Sequence, residues 1–84
     1  MKKNRFMKQV MAESRLEGTV SKFEKGWGFI TYTDPVTDQI SDIFVHWSDI
    51  DKKGFKDLTP GQTVTFEIGT GQNGREKAVN VRED

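Results

Sequence analysis

Two stretches decide the fold: Lys25-Gly26-Trp27-Gly28-Phe29-Ile30 and Asp42-Ile43-Phe44-Val45-His46-Trp47. Side chains in a strand alternate between faces, and the outer face of a half-buried strand is normally polar. In the second stretch Ile43 and Val45 share one parity and suit a core, which leaves Phe44 and His46 toward water. In the first, Ile30 and Tyr32 suit the core, and Trp27 and Phe29 take the outer parity. Two neighbouring strands of this kind put Trp27, Phe29, Phe44 and His46 on one solvent face. A one-residue shift of register would make these rings ordinary core aromatics. It would also expose Ile30, Ile43 and Val45, a poorer use of apolar surface. Exposed apolar patches usually bind something, and a flat set of rings suits unpaired nucleic-acid bases.

The rest of the chain after Leu16 reads as short strands separated by turn residues. Strands are expected near 17–23, 27–33, 42–46, 63–68 and 77–82. Val64, Phe66 and Ile68 alternate with Thr65 and Glu67; Asp34-Pro35, Pro60-Gly61 and the stretch from Gly69 to Gly74 are turn signals. Asp49 and Asp51 read as turn and capping residues after Ser48. Five short strands without a substantial helix point to a small all-β closed barrel. Gly28 falls on the core parity between two aromatics, where a strand-interior glycine marks a bend or a close backbone approach.

At 84 residues there is room for one small domain. There is no cysteine, so neither a disulfide framework nor a cysteine metal site is available, which fits a cytoplasmic location. No apolar run approaches the roughly 18 residues of a membrane span, and the basic N-terminus leads into no signal-like apolar region.

The formal net charge is zero but unevenly placed. Residues 1–16 carry five basic side chains against one acidic, a net +4, and residues 17–84 carry eight basic and twelve acidic, a net −4. The body is therefore not built for binding by phosphate charge alone, whereas stacking needs no net charge. In the extension Phe6, Met7, Val10 and Met11 recur at helix-like spacing. Residues 1–16 read either as a flexible tail, since short isolated helices are marginal, or as an amphipathic helix that docks elsewhere.

The two aromatic stretches resemble the paired ribonucleoprotein motifs of the cold-shock domain family. Its first motif, Lys-Gly-aromatic-Gly-Phe-Ile, is matched by residues 25–30, and its second, Val-Phe-Val-His-aromatic, by residues 43–47 with one conservative change. The resemblance runs from about Gly18 to Val81. It includes Gly54-Phe55-Lys56, Gly61-Gln62 and the closing Ala78, Asn80 and Val81. It sharpens the fold to a five-stranded antiparallel oligonucleotide-binding (OB) barrel at residues 17–84, with the basic extension before it.

The resemblance also implies a function: binding of single-stranded RNA and DNA with weak sequence preference, as an RNA chaperone or a cold-shock-type regulator, by a monomer without cofactor or catalysis. It places Phe55 over the binding face and Trp47 at its edge; the alternatives are a loop anchor for Phe55 and packing under the following turn for Trp47. Phe23 is ambiguous. Lys25, Lys52, Lys53, Lys56 and Arg75 are candidates for phosphate contacts. The family's usual Lys-Trp-Phe-Asn is here Ser21-Lys22-Phe23-Glu24, so Lys22 replaces a stacking tryptophan and the turn before Lys25 is shorter. One stacking site fewer lowers affinity about tenfold or more, part of which Lys22 recovers through a phosphate or cation–π contact. The segment from Thr33 to Ser41 looks longer than usual and is expected to narrow the groove or repel phosphate.

His46, the only histidine, makes no metal site by itself, and no nucleophile–base pair or phosphate-binding glycine loop stands out. The competing reading is a protein-interaction module that uses the aromatic face or the N-terminal segment.

Overall fold

The structure, a computed structural model, describes residues 15–83. The strands are β1 (Leu16–Glu24), β2 (Trp27–Thr33), β3 (Ile40–His46), β4 (Thr63–Thr70) and β5 (Glu76–Glu83). Single-turn 3₁₀ helices at Trp47–Asp49 and Gln72–Gly74 follow β3 and β4. The strands close into a barrel in the order β1-β2-β3-β5-β4. All ladders are antiparallel except the short parallel contact between β3 and β5, where Phe44 sits opposite Lys77. The interior is filled by Val20, Ile30, Val45, Val64, Phe66 and Val81, each almost fully buried, and Tyr32 packs edge-on against Phe66. Of residues 1–16, expected as tail or helix, residues 1–14 lie outside the described residues, and Leu16 already opens β1.

The alternation expected for β2 and β3 is present. Gly28, Ile30 and Tyr32 are buried while Trp27 and Phe29 are half-exposed, and Ile43 and Val45 are buried between Phe44 and His46. β1 and β5 do not alternate strictly, because each carries a bulge. In β1 the pairing steps from Val20 opposite Ile30 to Lys22 opposite Phe29, so Ser21 is the extra residue. A bulge flips the parity beyond it. Val20 faces in, yet Lys22 faces out and Phe23 turns toward the core. Ser21 Oγ donates to the Phe29 carbonyl at 3.2 Å across this bulge.

The bulge presses the β1 backbone onto Gly28. A Cβ on Gly28 would lie 1.8 Å from the Lys22 carbonyl oxygen and 2.7 Å from Phe23 Cα. The hairpin then closes in two residues, Lys25 and Gly26, both at positive φ, a geometry whose twist matches that of the flanking strands.

The second bulge lies in β5, where Asn80 and Val81 stand against Phe66 alone between the pairs Thr65–Arg82 and Glu67–Val79. Asn80 takes a left-handed φ of 51°, which asparagine tolerates, and Ala78 and Val81 both become buried. Arg15 fits into this irregularity. Its Nη2 donates to the Thr65 and Asn80 carbonyls, each at 2.7 Å, and to Thr65 Oγ1 at 2.8 Å. The described chain thus begins with an arginine that ties the start of β1 to the β4–β5 side.

The segment between β2 and β3 is shorter than the sequence implies, because β3 begins at Ile40 and pairs with Thr33. The remaining six residues form a compact turn. Asp34 Oδ1 accepts from the backbone N–H groups of Val36 at 2.7 Å and Thr37 at 3.2 Å.

Two stability outcomes follow. Gly28→Ala should lower stability by about 3 kcal/mol or more in urea unfolding, with Gly28→Val worse; a stable Gly28→Ala with lost affinity would mean that the close approach is not structural. Arg15→Ala should cost about 1–3 kcal/mol by the same measurement, and an unchanged midpoint would show that water replaces the guanidinium.

Candidate nucleic-acid interface

The β2–β3 ladder builds the site. Trp27 is paired with His46, Phe29 with Phe44 and Thr31 with Asp42. This register puts the four rings chosen from the sequence on one outer face. Trp27 and Phe44 lie nearly parallel, with centroids 6.2 Å apart and planes at 27°. Phe29 stands edge-on to both, 6.0 Å from each. Edge-on and offset contacts of this kind hold rings in place without covering their outer surfaces. All four rings stay half-exposed.

Lys22 occupies the β1 side of this face. Its Nζ lies 4.9 Å from the Trp27 ring centroid, a cation–π distance, and 3.8 Å from Glu24 Oε2. The position at which the resemblance implies a stacking ring therefore holds an ammonium resting on the neighbouring tryptophan.

At the other end, Trp47 is 47% exposed, and its ring lies 5.5 Å from His46 at a tilt of 35°. It is at the edge of the face and not under the following turn. A Cβ on Gly26 would come within 2.8 Å of Trp47 Cδ1, and Trp47 N donates to the Gly26 carbonyl at 2.8 Å. The β1–β2 turn therefore needs glycine at this point to seat the indole. Beside Trp47 opens a cleft bounded by Phe23, Lys25, Phe55 and Leu58. Phe55 is 80% exposed, so it is not a packed loop anchor. Phe23 is half-buried, packed against the core, with its edge on the cleft.

The cations divide into two groups. Lys56 Nζ donates to the Lys52 carbonyl at 2.8 Å and the Ile50 carbonyl at 3.3 Å, so its charge closes the loop after β3. Lys52 is held by Glu83 at 2.8 Å and Asp57 at 3.6 Å. That contact lowers the Glu83 carboxyl below the usual range, chiefly through the Lys52 hydrogen bond. Lys25, Lys53 and Arg75 are exposed and make no ion pair among the described residues. Arg75 borders two clefts, one beside Phe44 and His46 and one beside Phe29 and Asp42.

The sequence reading passed over the continuation of the face toward the β2–β3 turn. Thr31 Oγ1 donates to Asp42 Oδ1 at 2.6 Å, and Ile40, 74% exposed, shares the outer parity of Phe44. The signal was present, because Ile40, Asp42 and Phe44 are two residues apart. The turn itself lies about 13 Å along the ladder from the Phe29–Phe44 pair, and Asp34 directs its carboxylate into its own backbone. It does not narrow the groove at Trp27 and His46; Asp42 and Glu76 are the carboxylates that line the clefts beside Phe29 and Phe44. No group of three or more His, Cys, Asp or Glu side chains is placed to hold a metal ion among the described residues.

Comparison with known proteins agrees with this architecture. The family model described as 'Cold-shock' DNA-binding domain matches residues 16–83. The chain is 49% identical over 70 residues to the cold shock-like protein CspC of Buchnera aphidicola, covering 81% of this chain and 94% of that protein. It is 48% identical over 69 residues to glycine-rich protein 2 of Nicotiana sylvestris, of which the match spans 30%. The solved structure of drosophila Unr CSD456 superposes with a TM-score of 0.66 at 19% identity, covering 93% of this chain and 30% of that one, a likeness of fold alone. With the family model spanning all five strands and both aromatic motifs, the chain belongs to the cold-shock domain family.

Proposed function

We propose that this protein binds single-stranded RNA and DNA by stacking unpaired bases on Trp27, Phe29, Phe44 and His46, acting in the cytoplasm as a monomeric RNA chaperone or cold-shock-type regulator. The observation that carries this reading is the set of mutually braced rings left half-exposed in paired register on β2 and β3. Each stacked base contributes about 1–3 kcal/mol and is accepted whatever its identity, since every base has a π-face. Trp47 and Phe55 would extend the stacking surface past His46, with Phe23 lining the cleft between them. Lys25, Arg75 and the ammonium of Lys22 would meet phosphates, whereas Lys56 contributes through the loop it closes.

Charge supports the same division of labour. Residues 17–84 carry a net −4, so long-range attraction to a polyanion is weak and the stacking contacts must carry most of the affinity. Holding bases unpaired lowers the cost of melting misfolded RNA and needs no nucleotide hydrolysis. None of the described helices is long and apolar enough to cross a membrane.

A second reading, a protein contact, is favoured by Val36, 89% exposed, and Ile40 at the end of the β2–β3 hairpin. Strand titration separates the two. Tryptophan fluorescence should be quenched by short oligo(dT) and by RNA of equal length. A folded Phe29→Ala/Phe44→Ala double variant should bind about 30-fold more weakly or worse. Wild-type affinity in that variant, or no quenching of the wild-type chain, would overturn stacking and favour a protein partner. Lys22→Trp should restore a stacking surface, tighten binding about tenfold and flatten the salt dependence; unchanged affinity would show that the ammonium already matches the ring it replaces.

A further inference from the structure

His46 carries a hydrogen-bonding arrangement that stacking alone does not require. Its Nδ1 lies 3.2 Å from the backbone nitrogen of Ser48 and 2.8 Å from Ser48 Oγ. A backbone N–H can only donate, so Nδ1 accepts and bears no proton. In the neutral ring the single proton must then sit on Nε2, on the side of the imidazole away from Ser48. No described residue forms a hydrogen bond with Nε2, and the half-exposed ring borders the cleft shared with Phe44, Arg75 and Lys77.

The group that enforces this is itself held from three directions. The turn bearing Ser48 is joined to the β1–β2 hairpin by Trp47 N donating to the Gly26 carbonyl at 2.8 Å. It is closed by Ile50 N donating to the Trp47 carbonyl at 3.1 Å. It is tied to β5 by Asp49 Oδ2, 3.0 Å from Lys77 Nζ, an ion pair not aligned as a hydrogen bond. The Ser48 N–H therefore aims at Nδ1 because the barrel fixes the turn.

We propose that Ser48 is a positioning residue that holds His46 in the Nε2–H tautomer, giving the stacking face a fixed hydrogen-bond donor for an acceptor oxygen of the bound strand. The proposal rests on the single-strand reading above. Stacking is indifferent to which nitrogen is protonated; a directed donor is not. The acceptor is a base carbonyl or a phosphate oxygen, either of which is also attracted to the neighbouring Arg75, since Lys77 is paired with Asp49.

The test uses the full chain at pH 8, where an ordinary imidazole is neutral. Long-range proton–nitrogen NMR of the His46 ring should show Nε2 protonated and Nδ1 bare, with the ring signals moving when oligo(dT) binds. Ser48→Ala removes the hydroxyl and keeps the backbone N–H; with one of the two groups on Nδ1 gone it should raise the minor Nδ1–H tautomer measurably without making it dominant, and weaken oligo(dT) binding about threefold at unchanged melting temperature, with Ser48→Thr restoring both. His46→Phe keeps a flat ring without the donor, and in that background Ser48→Ala should have no further effect on binding. Oligo(dT) with methylphosphonate linkages separates the acceptors: a His46→Phe loss that persists assigns the base, and one that vanishes assigns the phosphate. An Nδ1–H tautomer in the wild-type chain, or an equal cost of Ser48→Ala in both backgrounds, overturns the role of Ser48. A correct tautomer in a chain that binds neither strand overturns the single-strand reading and the ligand-facing donor with it, while the tautomer assignment to Ser48 stands.

Discussion

The backbone of β1 crosses Gly28 so closely that no side chain fits between them. Most of what is distinctive here depends on that contact. It lets β1 coil sharply enough to pair with β2 on one edge and β4 on the other, which a five-stranded barrel requires. The same coil is taken up by the bulge at Ser21, which turns Lys22 outward onto Trp27 and sends Phe23 toward the core. An unbulged strand would have sent Lys22 inward with Val20, burying an unpaired charge. The glycine and the bulge are thus one structural solution, and the composition of the binding face is a consequence of it.

A second constraint sets the balance of forces at the site. The rings brace one another edge-on and sideways, so they keep fixed positions while remaining open to solvent. A surface that is rigid before binding loses little further conformational entropy when a base lands on it. Several of the body's cations are occupied internally: Lys52 with Glu83, Lys77 with Asp49, Arg82 with Asp51, and Lys56 with two carbonyls. This leaves few charges for phosphates, which supports the proposed reliance on stacking. In the proposed role, the arrangement at His46 and Ser48 would add direction to a face that would otherwise accept any flat ring.

Much of this was legible in the residues. Parity in Trp27 to Tyr32 and in Ile43 to His46 was enough to assign core and outer faces, because strand side chains alternate strictly where no residue is inserted. Turn residues marked the strand boundaries to within a residue or two at most ends. The reading fell short at the segment from Thr33 to Ser41, where Ile40 and Ser41 extend β3 and Asp34 folds the rest into a tight turn. A lysine in a sequence also does not say whether its ammonium meets solvent or carbonyls, and only the fold places Lys56 Nζ on the Lys52 and Ile50 carbonyls.

The sequence by itself determined the class of fold and which rings share the outer face, because both follow from a period of two imposed on aromatic and aliphatic residues. Only the tertiary structure decided where that period breaks. The bulges at Ser21 and Asn80 arise from closing the barrel, and a strand's local sequence holds no record of which partner it must curve to meet. The same holds for Arg15 on two distant carbonyls and for the turn that directs Ser48 at His46: each depends on backbone groups brought together by closure.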